Sequence, residues 1–246
     1  MVAKRIGAID LQFLWITLFS ISMAFFESSV VVYLRELYYP EGFSFPLELV
    51  DPRIALTELL RELFSIIMII SVPLIATKNF MERFSNFLYI FALWDIFYYI
   101  FLKLLLGWPA SLMAWDILFL IPFVWSGPVI TPIIISLIMI LFALTIRYYN
   151  RLSNFKMFLE VREWLIMLAG ALVVFVSFIW DFATYLLDHY TSRAESIEVL
   201  FDNFKAITMN YVPQEFYWGI YIIGVLLLLL SLSLIYKRNE KRYVKT

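Results

Sequence analysis

Six long apolar runs, separated by short polar segments, dominate the chain. Each run has about 20 residues or more, which is the length that an α-helix needs to cross the hydrocarbon core of a bilayer. The pattern predicts an all-α fold, a polytopic transmembrane helix bundle that forms a single integral membrane domain over 1–246. The six predicted spans are about Leu11–Leu34, Thr57–Ala76, Phe84–Leu106, Ile130–Tyr148, Trp164–Leu187 and Phe216–Tyr236.

A seventh apolar segment, at about 107–129, is of a different kind. Its apolar centre, Leu112–Ile121, is too short to cross a bilayer. Prolines at 109, 122, 128 and 132 surround it. Irregular backbone at membrane depth has to be covered by protein or to line a wet cavity. We therefore predict a re-entrant or interfacial half-helix that helps to shape a site.

Lysine and arginine are concentrated at one set of span ends. Because cytoplasmic loops carry an excess of these residues, both termini are predicted to be cytoplasmic, with external loops at about 35–56 and 188–215. The predicted location is a cell membrane, such as the bacterial inner membrane, with a basic cytoplasmic tail at 237–246. The basic residues on the cytoplasmic side are Lys4, Arg5, Lys78, Arg83, Arg147, Arg151, Lys156, Arg162, Lys237, Arg238, Lys241, Arg242 and Lys245.

Composition excludes several classes of chemistry. The chain has no cysteine and one histidine, His189, so disulfides, thiolate catalysis, haem held by two histidines and histidine-rich metal sites are excluded. We expect no metal site, and the sequence indicates no particular cofactor. The basic tail is expected to contact anionic lipid and not nucleic acid. The expected partner is the lipid bilayer, with a homo-oligomer or a membrane-complex partner as open alternatives.

Charged side chains inside the apolar runs are the main functional candidates, because an ionisable group in hydrocarbon costs several kcal/mol unless it is paired or hydrated. At a rise of about 1.5 Å per residue, these groups lie roughly 7–16 Å from the outer ends of their spans. They are predicted to share one layer in the outer half of the membrane. The primary candidates for binding a substrate or a proton are Glu27, Arg61, Glu62, Asp95 and Asp181.

Some of these charges have alternative explanations. Glu58, Arg61 and Glu62 share one helix face by their i, i+3, i+4 spacing, and they can also neutralise one another at a helix start. Asp95 has to be protonated, hydrated or paired, with Arg61 as the candidate partner, and Glu27 can pair with the nearby basic residue at position 35. The secondary candidates are Glu58, Tyr98, Tyr99, Lys103, Trp115, Asp116 and His189, of which Lys103 and His189 are expected at the outer surface.

Several motifs in the first half of the chain are distinctive. They are Phe26-Glu27-Ser28, Glu58 with Arg61-Glu62, Trp94-Asp95-Ile96-Phe97-Tyr98-Tyr99, Gly107-Trp108-Pro109, Trp115-Asp116-Ile117-Leu118-Phe119-Leu120-Ile121-Pro122 and Trp125-Ser126-Gly127-Pro128-Val129. In these motifs the chain resembles an uncharacterised group of bacterial polytopic integral membrane proteins. The resemblance implies a multi-span fold and no particular activity.

Three functions are compatible with buried charges on several spans. The favoured hypothesis is a membrane protein that binds or translocates a small solute or a proton. The second is an intramembrane enzyme that acts on a lipid or isoprenoid by carboxylate acid–base chemistry, with Arg61 holding an anionic head group. The third is an accessory subunit whose charges pair with another membrane protein.

Overall fold

Six long helices make up most of the computed structural model, which describes residues 11–48, 51–152, 155–189 and 207–244. Each helix is long and apolar enough to cross a membrane, so the six predicted spans are confirmed and the chain is a multi-pass integral membrane protein. The helices are α1 (Leu11–Tyr38), α2 (Pro52–Ala76), α3 (Phe80–Leu106), α4 (Ile130–Asn150), α5 (Val161–His189) and α6 (Trp218–Tyr243).

Between α3 and α4 the chain forms a β-hairpin, so the predicted half-helix is wrong. Strand β1 (Trp115–Phe119) pairs antiparallel with β2 (Trp125–Pro128), and Asp116 lies opposite Gly127. The prolines of this segment interrupt a helix because they lack the N–H that a helix interior requires. In the hairpin, the two short strands form hydrogen bonds between their backbone N–H and C=O groups instead. Because many of its backbone polar groups are paired in this way, the segment can lie among the helices.

Consecutive helices run in opposite directions, which gives the bundle two distinct ends. We name the end that carries the β-hairpin the hairpin end, and the opposite one the far end. Residues near the two ends make contacts that agree with this arrangement, such as Arg35 with Asp116 at the hairpin end and Gln12 with the carbonyl of Ala76 at the far end. Helix ends at the hairpin end are Tyr38, Pro52, Leu106, Ile130, His189 and Trp218.

Several loop boundaries differ from the predicted ones. Helix α1 continues to Tyr38 and α2 begins at Pro52, where the side chain of Asp51 accepts a hydrogen bond from the Arg53 N–H. The loop predicted at 35–56 is therefore shorter at both ends. The predicted tail at 237–246 is helical as far as Tyr243. The loop predicted at 188–215 lies partly outside the described residues.

Helix packing leaves α2 at one side of the bundle. The extensively packed pairs are α5 with α6, α3 with α4 and α1 with α3, whereas α2 packs mainly against α3. Helices α5 and α6 meet at Gly170 and Gly224, where an added Cβ on Gly224 would lie 2.7 Å from Val174 Cγ2 and 3.0 Å from the Gly170 oxygen. Small residues allow two membrane helices to approach this closely, which holds α5 and α6 together as one wall of the bundle.

Candidate functional site

Arg61 joins α1 to α2 near the hairpin end. Its guanidinium forms ion pairs with Glu27 and Glu58, and its Nε donates to Glu58 Oε2 at 2.8 Å. One turn further along α2, the Ser65 hydroxyl donates to Glu27 Oε2 at 3.1 Å. The helical spacing of Glu58 and Arg61 predicted their shared face. One guanidinium therefore balances two carboxylates from different helices.

Arg35 and Asp116 form a second buried pair, between α1 and the β-hairpin. Arg35 Nη2 lies 3.3 Å from Asp116 Oδ1, and the Tyr99 hydroxyl donates to Asp116 Oδ2 at 3.2 Å. The Arg35 guanidinium also lies over the Trp108 ring, 3.8 Å from its centroid. Burial raises the pKa of Asp116 to about 6, and Arg35 and Tyr99 act in the opposite direction. The alternative pairing of Glu27 with Arg35 is not formed.

Glu62 and Asp95 accept hydrogen bonds but form no salt bridge within the described part of the chain. Glu62 Oε2 accepts from the backbone N–H of Leu120 at 3.0 Å, and Asp95 Oδ2 accepts from the Ser136 hydroxyl at 2.8 Å. In the described ranges, no lysine, arginine or histidine nitrogen lies within 4.0 Å of either carboxylate. Arg61, the expected partner of Asp95, pairs elsewhere. A carboxylate has about four acceptor positions, so each group retains capacity to bind.

These charged groups surround one large cavity of about 780 Å³. That volume lies within the range of small-molecule binding sites. The structure therefore brings together four of the five primary candidates and four of the seven secondary ones. The candidates that line the cavity are Glu27, Glu58, Arg61, Glu62, Asp95, Tyr98, Tyr99 and Asp116, and two further charged residues, Arg35 and Glu48, lie in the same wall.

Towards the far end the cavity continues between apolar side chains. Phe84, about one turn from the start of α3, and Met167, within two turns of the start of α5, both line it. Leu168 lines the cavity while 57% of its surface is exposed, and Phe123 does so at 47%. The cavity therefore combines a charged layer with a long apolar chamber, and it reaches the surface of the bundle.

Asp181 lies outside the lining of this cavity. Its carboxylate accepts hydrogen bonds from the Tyr211 hydroxyl at 2.8 Å and from the backbone N–H groups of Gln214 and Glu215 at 3.1 and 3.2 Å. These contacts hold the segment that leads into α6. Burial raises the pKa of Tyr211, so its hydroxyl stays protonated and continues to donate to Asp181. The described contacts of Asp181 are those of a structural residue.

Three secondary candidates also lie away from the cavity. Lys103 Nζ donates to two backbone carbonyls of the segment after α3, at 2.8 and 2.9 Å. The Trp115 ring packs edge-on against Phe216. His189 is exposed, stacks on Tyr185 and contacts its backbone oxygen at 2.8 Å. Their described contacts are therefore made outside the lining of the cavity.

Some polar residues of the cavity wall were not predicted candidates, and two of them, Arg35 and Ser136, contact the carboxylates of Asp116 and Asp95. The sequence presents Arg35 as a basic residue at the end of a span, which is also the position of an arginine that reaches to the membrane surface. Ser136 is one of several serines in apolar runs, and nothing in the sequence marks it as the donor to Asp95. Both contacts join residues that are far apart in the chain, at separations of 81 and 41 residues.

Neither a metal-binding arrangement of side chains nor similarity to a known protein indicates the function of this site. Within the described ranges, no group of three or more histidine, aspartate or glutamate residues is arranged to hold a metal ion. No family model, curated protein or solved structure matches the chain. The functional argument therefore depends on the geometry of the cavity.

Proposed function

We propose that this membrane protein binds an amphiphile from the bilayer. The head group of the amphiphile lies in the charged layer around Glu62 and Asp95, and its hydrocarbon chain occupies the apolar chamber. One observation carries the proposal: a single cavity of about 780 Å³ is charged near the hairpin end and apolar beyond it. An amphiphile has this same division, and the half-exposed Leu168 marks a route from the surrounding lipid.

A path for a hydrophilic solute or a proton is less well supported. Such a path requires polar groups or water along its length, but the cavity beyond the charged layer is lined by side chains such as Phe84, Phe142, Met167 and Leu228. These side chains match a hydrocarbon chain. Translocation of a small solute or proton is therefore our less favoured hypothesis.

Catalysis on the bound amphiphile is the second candidate function. Glu62 and Asp95 line the cavity and form no salt bridge with any described residue, and carboxyl groups in such surroundings serve as general acids or bases. Catalysis and simple binding would therefore use the same cavity. Turnover of a co-purified amphiphile that stops in Asp95→Asn, even when the variant is saturated with that amphiphile, distinguishes catalysis from binding alone.

For orientation, we propose that both termini are cytoplasmic and that the hairpin end faces outwards. The lysine and arginine residues near Lys78 and Arg151 support this orientation. The chain has no cysteine, so single cysteines can be introduced without background. A membrane-impermeant thiol reagent should label a cysteine at Glu198 in intact cells and leave cysteines at Lys78 and Arg151 unlabelled. The reverse labelling pattern would contradict the proposed orientation.

The binding proposal is tested by filling the apolar chamber. Ala171 and Leu172 are adjacent, exposed residues of α5, but only Ala171 lines the cavity. Ala171→Phe should place a ring in the chamber, and Leu172→Phe places the same ring outside it. Each protein is extracted in polymer nanodiscs and its retained amphiphiles are quantified by native mass spectrometry.

The two variants have different expected outcomes. Ala171→Phe should lower the occupancy of the retained amphiphile about tenfold, equivalent to roughly 1.4 kcal/mol of binding free energy. Leu172→Phe should retain the wild-type occupancy. Equal occupancy in all three proteins, or no retained amphiphile in the wild type, would contradict the proposal.

A further inference from the structure

We infer that the head group bound in the charged layer is an uncharged polyol, such as a sugar or another group with several hydroxyls. The inference rests on the proposed binding of an amphiphile. Three kinds of head group are considered: anionic, cationic and hydroxyl-bearing. The charges, hydrogen-bond donors and hydrogen-bond acceptors of the cavity wall are compared with those of each kind.

The charges of the wall disfavour an anionic head group. Six carboxylates and two guanidinium groups line the cavity. The guanidinium groups of Arg61 and Arg35 are already engaged with Glu27, Glu58 and Asp116. A phosphate or carboxylate would therefore meet an excess of like charge, and it would bring few donors for the carboxylates that lack a partner.

The free acceptors of the wall require a ligand that donates hydrogen bonds. Among the described residues, Glu62 and Asp95 each accept one hydrogen bond, from Leu120 and Ser136 respectively. Because a carboxylate has about four acceptor positions, each can accept further donors from a ligand. Hydroxyl groups and ammonium groups both supply such donors, so this observation alone does not separate them.

Three buried donors of the cavity wall, Arg35 Nη1, Trp94 Nε1 and Trp125 Nε1, distinguish a hydroxyl-bearing head group from an ammonium. None of the three has a hydrogen-bond acceptor in the described part of the chain. The exposed fractions of Arg35 and Trp94 are only 8% and 7%. All three nitrogens are buried, so each side chain has to shift for its nitrogen to reach a ligand oxygen. An ammonium has no lone pair to offer them, whereas a hydroxyl both donates and accepts.

An unpaired donor nitrogen is not sufficient evidence by itself. Arg238 Nη1 is also buried without an acceptor among the described groups, but Arg238 does not line the large cavity. At Arg35 and Trp94 the unpaired donors, the unpaired carboxylates of Glu62 and Asp95, and the free volume coincide. This coincidence within one wall is what points to a polyol.

Three amphiphiles with the same brominated alkyl chain test the inference. Their head groups are glucoside, primary ammonium and phosphate. Each is titrated into wild-type protein in phosphatidylcholine nanodiscs, and bromine quenching of tryptophan fluorescence reports binding because Trp94 and Trp125 line the cavity. Quenching that rises linearly with probe concentration, without saturation, measures the amphiphile dissolved in the bilayer and is subtracted.

The glucoside should bind at least about tenfold more tightly than the other two probes. Equal affinities, or tighter binding of the ammonium or phosphate probe, would overturn the polyol assignment and leave the amphiphile proposal standing. Absence of saturable quenching by all three probes would instead contradict the amphiphile proposal itself. The two proposals therefore fail in distinguishable ways.

Matched variants locate the head group. Glu62→Gln and Asp95→Asn replace a charged acceptor by a neutral one of similar size, so each should weaken glucoside binding about fivefold to tenfold. Glu36→Gln is the control, because Glu36 is exposed on α1 and does not line the cavity. Unchanged glucoside affinity in both cavity variants would contradict the placement of the head group.

Discussion

Two buried clusters of charge, one at each end of the bundle, differ in what surrounds them. At the far end, Glu163 accepts hydrogen bonds from Arg238 on both carboxylate oxygens, at 2.7 and 2.8 Å, and Ser231 donates to the Glu163 backbone oxygen. No member of this cluster lines the large cavity. Near the hairpin end, carboxylates outnumber guanidinium groups around a space of about 780 Å³.

The comparison separates structural charge from functional charge. The burial of the Arg238–Glu163 ion pair requires no ligand to explain it, since each partner offsets the desolvation cost of the other. A buried charge that faces free volume without a partner requires another explanation, for which a ligand is the simplest. Burial of a charge in a membrane helix is therefore a weak indicator of function, and imbalance next to a cavity is a stronger one.

The largest predicted effect is at the far end. Arg238→Met should leave Glu163 buried without its cation and lower the free energy of unfolding by about 3 kcal/mol. Glucoside affinity should be unchanged. Thermal unfolding in nanodiscs measures the loss, with Lys237→Met as the control because Lys237 is exposed on the same helix. Equal unfolding temperatures for the two variants would mean that the Arg238–Glu163 pair contributes little to stability.

Neutralising the unpaired carboxylates should have the opposite result. The double variant Glu62→Gln, Asp95→Asn removes two buried charges that have no cation, and it keeps acceptors for Leu120 and Ser136. Its unfolding temperature should equal or exceed that of the wild type, because removing an uncompensated charge relieves a desolvation cost. Glucoside binding should nevertheless fall by more than about tenfold. A loss of stability comparable to that of Arg238→Met would remove the distinction between the two clusters.

A smaller, pH-dependent effect is predicted at Asp116. Burial raises its pKa from the ordinary 3.8 to about 6, so the folded protein holds this proton to a higher pH than the unfolded chain. The stabilisation from that proton is complete below the ordinary pKa and is lost as the pH rises through about 6.

The substitution Asp116→Asn should remove this part of the pH dependence, because an asparagine amide does not titrate. The unfolding temperature of the wild type relative to the variant should fall between about pH 4 and pH 6 and stay level above that range. Unfolding scans of both proteins at a series of pH values give the difference directly. A difference that rises over this range would show that pairing with Arg35 outweighs burial.

The helices could be predicted from sequence because hydrophobic length alone determines whether a helix can cross a bilayer. The β-hairpin could not, because an apolar segment such as Trp115–Pro122 is equally compatible with a short helix or a strand when only its hydrophobicity is considered. The segment becomes a strand because it pairs with Trp125–Pro128. The hydrophobic pattern of neither segment predicts this pairing.

The charged layer could be predicted in part. The contact of Arg61 with Glu58 follows from spacing along one helix, and depth along each span groups Glu27, Glu62 and Asp95, which line one cavity. Depth does not give the direction in which a side chain points around its helix. For that reason Asp181 was grouped with the layer although its contacts are with the segment before α6.

Gly170 and Gly224 set the separation of α5 and α6. Substitutions at these glycines can therefore change the size of the cavity without changing the residues that line it. The backbones of the two glycines touch between α5 and α6, next to Val174 and Leu228, which both face the apolar chamber. A methyl group at either glycine forces these two helices apart and displaces both side chains. For the proposed amphiphile, the preferred chain length can therefore change through substitutions outside the cavity lining, so two proteins with identical cavity residues can differ in the ligands they accept.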